Sequence, residues 1–282
     1  MTTVLCGLLD RCAAAISRPI QATRQLSERL MDATDDRWLM AFSLIFVLII
    51  AIAATMVAAA TRFRRAAQHQ ADALFRAAKT EILIKTEEVA ALPRSVQRWM
   101  QRADVIGRVM PNRLIVRQRG TLRTKPDSKW MPFEATQCFT IDPPGFVWNA
   151  VIEAGPFLRI GGRDTYQHGH GNMVIKPLYI FDAVDGRGKE IDQGTLVRYL
   201  AEMAWFPHAA ASRYLRWQSI NDSQASVTME YEGVSASGVF FFSAEGDAIG
   251  FEAKRYGEFG GIYRKEKWSV RTTSFATMGG TR

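Results

Sequence analysis

Two charged residues at helical spacing are the first candidates for chemistry in this sequence. Arg198 and Glu202 lie four residues apart in the segment DQGTLVRYLAEM, and side chains at that spacing share one face of an α-helix. A guanidinium and a carboxylate held together can anchor the polar head group of a ligand. Other polar residues come from segments with strand periodicity and can meet this pair inside the domain: Asp164, Tyr166, Arg255 and Tyr256.

Aromatic residues are dense around the same segments, at Trp148, Phe157, Trp205 and Phe206. A helix lying in the concave side of a curved sheet would place them around an apolar cavity with the charges at one end. The sequence therefore predicts a site for a lipid-like or other amphipathic small molecule, bound without covalent chemistry. The predicted ligand-binding residues are Trp148, Asp164, Tyr166, Arg198, Glu202, Trp205, Phe206 and Arg255.

Three alternatives to this binding hypothesis stay open. In the simplest, Arg198 and Glu202 form a structural ion pair, worth a few tenths of a kcal/mol if exposed, and the aromatic residues are ordinary core. In the second, Glu202 or Asp164 is the general acid or base of an enzyme, with its pKa raised by burial. In the third, the domain is a structural or partner-docking membrane protein, whose protein partner the sequence does not identify.

Three histidines have to be weighed as metal ligands. His168 and His170 lie two residues apart in the stretch HGHG, and with His208 they would supply the three imidazoles of a catalytic zinc site. Two histidines at this spacing share a face only in a strand, and the surrounding glycines favour a loop. We therefore predict no metal and no cofactor, and we interpret His168 and His170 as exposed loop residues.

The elements that would position these residues follow from hydrophobic periodicity. From Arg113 onward the period is close to 2, most clearly where Phe133, Ala135, Gln137, Phe139 and Ile141 alternate with polar residues, which predicts a series of antiparallel strands. Two helices interrupt or precede the strands, one beginning at Leu92-Pro93 and one at 192–203. The predicted class is α+β, with a mostly antiparallel, curved β-sheet domain packed on one or two helices.

A membrane anchor is predicted near the N-terminus. The run 38–61 contains no charged residue, and crossing the hydrocarbon core takes about 20 apolar residues in a helix. A secretory signal peptide would have a shorter apolar region closer to the start of the chain, so we expect an uncleaved, single-pass transmembrane helix in contact with the lipid bilayer. Basic residues flank the run almost equally, which leaves open the face that carries the domain.

The charge distribution argues against a nucleic-acid partner. The net charge of +8 is spread along the chain with acids interspersed, whereas nucleic-acid binding calls for clustered basic residues, so we expect no nucleic-acid partner.

The chain is expected to have several consecutive parts. The spacing of Ala71, Leu74, Ala78 and Ile82 predicts a helix after the membrane run. We expect four parts: an N-terminal segment at 1–37, the transmembrane helix at 38–61, a juxtamembrane helix or stalk at 62–91 and a β-rich globular domain at 92–282.

The domain also resembles a known family. The residues that carry the resemblance are Leu92-Pro93, Val96, Trp99, Trp130, Pro132-Phe133, Ala135, Gln137, Pro143 to Trp148, Asp164, Tyr166, Gly169, Gly171, Gly194, Leu196, Arg198 to Glu202, Trp205 to Pro207, Trp217, Ala253 and Arg255-Tyr256. From Leu92 to about Trp268 the chain looks like a bacterial family of unknown function whose members join an N-terminal membrane segment to one β-rich domain. The resemblance implies the same architecture for this chain and a location in a bacterial cell membrane. It does not imply an activity. The order of strands and helix is also similar to that of periplasmic lipoprotein carriers, an analogy of fold alone.

Overall fold

The computed structural model describes the backbone of residues 2–156, 158–278 and 280–281, and the side chains of residue 37 onward within those ranges. Phe157, which was expected to line the cavity, lies outside the described residues. The chain divides into two compact units, Met1–Ala58 and Ala59–Arg282.

A single long helix, α1, covers Thr2–Ala77. From Arg37 onward, the most apolar stretch of 18 residues in α1 has a mean hydropathy of 2.7. None of the residues in that stretch is buried. Large apolar side chains such as Phe42 and Leu44 are about two-thirds exposed or more, at 66% and 71%. A core helix of a soluble protein would bury such residues. Among the described residues, α1 is the one helix long and apolar enough to cross a membrane.

In the described part of the second unit, three antiparallel sheets and three α-helices follow α1, which confirms the α+β prediction. A two-stranded ribbon pairs β1 with β2, at Glu81–Leu83 and Val109–Pro111. Helices α2, α3 and α4 are Thr86–Ala90, Arg94–Arg102 and Lys189–Glu202. A six-stranded sheet follows chain order through β3 Arg113–Leu122, β4 Met131–Ile141, β5 Pro144–Glu153, β6 Arg159–Gln167, β7 His170–Pro177 and β8 Val184–Gly186. A five-stranded sheet contains β9 Leu215–Asn221, β10 Gln224–Tyr231, β11 Val234–Phe242, β12 Ala248–Phe259 and β13 Ile262–Arg271.

Helix α4 lies between the two sheets and contacts β6 and β7 on one side and β11 and β12 on the other. Its apolar residues Leu196, Tyr199 and Leu200 are at most 1% exposed. A glycine in β7 allows this close approach, because a Cβ atom at Gly171 would lie 2.4 Å from Thr195 Oγ1. From Gly194 onward the helix is buried or half-buried all round, so Arg198 and Glu202 must find their partners inside the domain.

The last turns of α1 belong to the second unit and pack on the outer face of the six-stranded sheet. Ala67, Ala71 and Leu74 form a buried cluster with Cys138 and Val147. Small residues one turn apart let the helix approach the strands closely. The helix ends at Ala77, and Ile82 of the predicted helical stripe lies in β1 instead.

Helix α3 begins directly after Pro93, as the sequence predicts. Val96, Trp99 and Met100 are all buried, and the Trp99 ring lies 5.4 Å from that of Phe240 and 5.7 Å from that of Phe242 in β11. The helix thus extends the aromatic core of the five-stranded sheet.

Candidate functional site

The register of the six-stranded sheet brings three polar or amphipathic side chains into one row. Gln137 in β4 pairs with Trp148 in β5, and Trp148 pairs with Asp164 in β6. Residues directly opposite one another on neighbouring strands point to the same face of a sheet. That face receives α4, so the row lies under the helix.

Arg198 of α4 lies at the centre of this row. Its Nη1 donates to Asp164 Oδ2 at 2.7 Å, its Nε to Glu202 Oε1 at 2.8 Å and its Nη2 to Gln137 Oε1 at 3.3 Å. The guanidinium also lies over the Trp148 ring, 4.9 Å from its centroid. The Arg198 side chain is 16% exposed, and those of Glu202 and Asp164 are 12% and 7% exposed. We call Arg198, Glu202, Asp164 and Gln137 the Arg198 cluster.

Further hydrogen bonds connect the cluster to the edge of the sheet. Gln137 Nε2 donates to Glu202 Oε2 at 2.7 Å, Gln118 Nε2 donates to Gln137 Oε1 at 2.8 Å, and Trp148 Nε1 donates to Gln118 Oε1 at 2.9 Å. The sequence analysis missed both glutamines as site residues. The signal for Gln137 was present, because it stands at an inward position of the alternating strand where its neighbours are apolar.

The protonation of the cluster follows from burial and charge. Burial raises the pKa of Glu202, while Arg198 and Gln137 oppose the change. Burial acts to lower the pKa of Arg198, but the two carboxylates outweigh it and hold that pKa above its ordinary value. Both Glu202 oxygens accept a hydrogen bond within the cluster, one from Arg198 and one from Gln137, which fixes the orientation of the carboxylate.

Asp164 differs from Glu202 in one respect. Its Oδ2 accepts from Arg198, whereas its Oδ1 is buried and has no hydrogen-bond partner among the described residues. The residue is 5% exposed. Leaving a buried acceptor unpaired costs about 1–3 kcal/mol, and more for a charged group, so a donor belongs at this oxygen.

Arg255 of β12 approaches the cluster without joining it. Its Nε donates to the Gly194 carbonyl at 2.8 Å, and its guanidinium lies 5.2 Å from the centroid of the Trp268 ring. Burial lowers the pKa of Arg255, and the nearby charge of Asp164 opposes this. Among the described residues, no hydrogen bond connects Arg255 to the Arg198 cluster. Arg255 therefore adds a second guanidinium whose charge interacts with that of Asp164.

Beyond the cluster the same face of the sheet turns apolar. The next two rows of paired residues are Ala135, Ala150, Gly162 and Ile175, then Phe133, Ile152, Ile160 and Pro177. We call these the apolar rows. Phe133, Ile160, Ile175 and Pro177 are only half-buried, and the Phe133 ring lies 6.1 Å from that of Trp148. The face thus passes from an aromatic core through a charged row to a partly open apolar surface.

Comparison with known proteins bears on the second unit. A family model described as "Family of unknown function (DUF6544)" matches residues 83–282. This chain belongs to the DUF6544 family. No curated protein and no solved structure matches it. Membership confirms the resemblance to a family of unknown function and brings no activity with it.

The remaining predicted site residues of the DUF6544 domain are placed apart from the charged row. Phe206 and Tyr166 are 0% exposed and lie in the core, where Phe206 packs 4.7 Å from Phe139. Burial raises the pKa of Tyr166. Trp205 is 49% exposed, and its ring lies edge-to-face with that of Phe139, with the ring centroids 6.2 Å apart. The structure therefore brings together Trp148, Asp164, Arg198 and Glu202, with Arg255 beside them.

The three histidines of the DUF6544 domain do not meet. His168 lies in the turn between β6 and β7 with a φ of 52°, and His170 is an exposed neighbour of Asp192, 3.8 Å from its carboxylate. His208 is 2% exposed, and its Nε2 lies 2.9 Å from the Pro111 carbonyl oxygen. Among the described side chains, no three His, Cys, Asp or Glu residues are grouped as metal ligands would be.

The buried His208 predicts a pH dependence of stability. Burial lowers its pKa to about 4, below the ordinary 6.5, so the unfolded chain takes up a proton first as the pH falls. The contribution of His208 to the free energy of unfolding is fully present above about pH 6.5. As the pH falls from about 6.5 to 4, the free energy of unfolding decreases by up to about 3 kcal/mol. Urea unfolding of the full chain in micelles should show that His208→Gln loses much of this pH sensitivity. An equal slope in both proteins would contradict the assignment.

Proposed function

We propose that this protein is a single-pass protein of a bacterial cell membrane whose DUF6544 domain binds a lipid-like or other amphipathic molecule without covalent chemistry. The polar head of the ligand lies between Asp164 and Arg255, and its hydrocarbon part lies on the apolar rows. The uncharged run in α1 supports the membrane tether, because its length and composition suit the hydrocarbon core.

The unpaired Asp164 Oδ1 is the observation that carries the binding proposal. It is a buried carboxylate oxygen, and Arg198 already neutralises the other half of the carboxylate. A hydroxyl or ammonium donor on a head group would satisfy it. A phosphate or carboxylate oxygen on the same head group would suit the Arg255 guanidinium, whose Nη atoms have no hydrogen bond to a described residue.

The apolar rows supply the second half of an amphipathic site. They begin next to Trp148, directly beside the charged row, and they continue to the end of the sheet. Each methylene group moved from water onto such a surface contributes about 0.8 kcal/mol. A polar cluster with an adjoining apolar surface is the pattern that an amphipathic ligand requires.

The Arg198 cluster also has a structural role that does not depend on a ligand. It connects α4 to β4 and β6 through buried, charge-assisted hydrogen bonds. The ion pair between Arg198 and Glu202 is buried, and not the exposed pair of the simplest sequence interpretation. This role accounts for Arg198 and Glu202, but it does not explain the unpaired Asp164 Oδ1 or the half-buried members of the apolar rows.

A bulky substitution on the apolar rows tests the proposed ligand site. Ile175→Trp adds a bulky ring on the apolar rows, and excluding about three methylenes of a bound chain should weaken binding more than tenfold. The measurement is the lipid-bound fraction of the full chain, released from detergent micelles and observed by native mass spectrometry.

The matched control is Ile115→Trp, on the outward face of β3, where Ile115 is 63% exposed. It leaves the apolar rows unchanged and should retain wild-type binding. Both variants keep α1 intact, so lipid that merely adheres to the membrane helix would be retained equally by both. Equal retention by the two variants would therefore contradict the proposed site.

A further inference from the structure

Two neighbouring loops of the DUF6544 domain expose large apolar side chains. Leu158 precedes β6 and is 39% exposed, while Ile180 and Phe181, between β7 and β8, are 41% and 59% exposed. The loops are held together by the Leu178 amide, which donates to the Arg159 carbonyl at 2.8 Å. We call Leu158, Ile180 and Phe181 the loop surface. Clustered exposed apolar residues of this size mark interaction sites.

The loop surface lies beside the residues at which the apolar run of α1 ends. Tyr179, next to Ile180, is buried against Phe63, with ring centroids 5.6 Å apart. Ala59 and Ala60 pack on the same cluster and are among the last residues of the uncharged run that ends at Thr61. The end of the apolar run and the loop surface are thus neighbours within the second unit.

Basic side chains surround this region. Arg163 lies 5.3 Å from the centroid of the Phe63 ring, Arg159 is exposed at the start of β6, and Arg62, Arg64 and Arg65 follow the apolar run. The acids nearby include Asp182, which pairs with Lys176, Glu153, which lies opposite Arg159, and Asp185, whose charge acts on Arg163. Apolar side chains with adjacent arginines are the pattern of a segment that enters the interface of an anionic bilayer.

We propose that the loop surface inserts into the head-group region of an anionic bilayer, next to the residues at which the uncharged run of α1 ends. This inference rests on the proposed membrane tether. It adds that the DUF6544 domain lies against the bilayer surface through these two loops. The last apolar row ends at Ile160 and Pro177, at the same end of the six-stranded sheet as the two loops. Docking there places the open end of the apolar rows against the lipid from which the ligand would enter.

Photo-crosslinking of the full chain tests the inference. The chain is reconstituted into vesicles of phosphatidylcholine and phosphatidylglycerol with p-benzoylphenylalanine in place of Phe181. The matched control carries the same group in place of Ile220, in β9 of the five-stranded sheet, which is 50% exposed. We expect a yield of lipid adducts at position 181 that is several times that at position 220.

Flotation of the vesicles separates the two proposals. A chain that does not float with the vesicles would overturn the tether and the docking together. A chain that floats but gives equal lipid adducts at both positions, or gives mainly protein dimers at position 181, would overturn the docking alone. If position 181 gives mainly protein dimers, the loop surface would be a contact between copies of the chain.

Discussion

Replacing Arg198 with alanine should lower the free energy of unfolding by about 3–5 kcal/mol. The substitution removes the cation that neutralises Asp164 and Glu202, both of which are buried, and it leaves two carboxylates without their charge partner. Arg198→Lys should recover only part of the loss, because an ammonium group cannot reproduce the planar set of donors that reaches Asp164, Glu202 and Gln137. Urea unfolding of the full chain in micelles, followed by tryptophan fluorescence, measures the change.

Arg119→Ala is the control for this prediction. Arg119 also pairs with a carboxylate, that of Glu134 at 3.1 Å, but the two side chains are 86% and 70% exposed. Exposed pairs contribute about 0–1 kcal/mol, so this variant should unfold almost as the wild type does. Equal destabilisation by Arg198→Ala and Arg119→Ala would contradict a buried, charge-balanced cluster.

Replacing Phe206 with alanine should also cost about 3–5 kcal/mol. Phe206 is 0% exposed, and its ring lies 4.7 Å from that of Phe139 and 5.8 Å from that of Tyr199. The surrounding rings come from β4 and α4, so the substitution leaves a cavity in the core between these two elements. Thermal or urea unfolding of the full chain in micelles would report the loss.

The adjacent residue provides the comparison. Trp205 is 49% exposed, and Trp205→Ala should cost about 1 kcal/mol because half of its ring is already in contact with solvent. The sequence analysis assigned both residues to one cavity, and the structure separates them into a core residue and a surface residue. A larger loss for Trp205→Ala than for Phe206→Ala would contradict that placement.

Periodicity predicted much of the fold. The alternation of Phe133, Ala135, Gln137, Phe139 and Ile141 is β4, and the helix expected at 192–203 is α4 at Lys189–Glu202. Pro93 marks the start of α3 as expected. These features depend on neighbours within a few residues along the chain, where side-chain direction is fixed by local geometry.

The site was predicted less completely because it depends on register. Arg198 and Glu202 could be paired from their spacing alone, and Asp164 was a reasonable addition. The pairing of three strands places Gln137, Trp148 and Asp164 in one row. No local sequence pattern predicts that pairing. For the same reason the sequence could not separate Tyr166, in the core, from Asp164, two residues earlier and next to the open rows.

Native mass spectrometry of the wild-type full chain tests the central claim most directly. The chain is purified in detergent, released from its micelles, and any molecule it retains is extracted and identified. Our account predicts a population that carries one amphipathic molecule and that is strongly reduced in Ile175→Trp but retained in Ile115→Trp. A bare chain that also takes up no added lipid would contradict the account and leave the Arg198 cluster with a structural role.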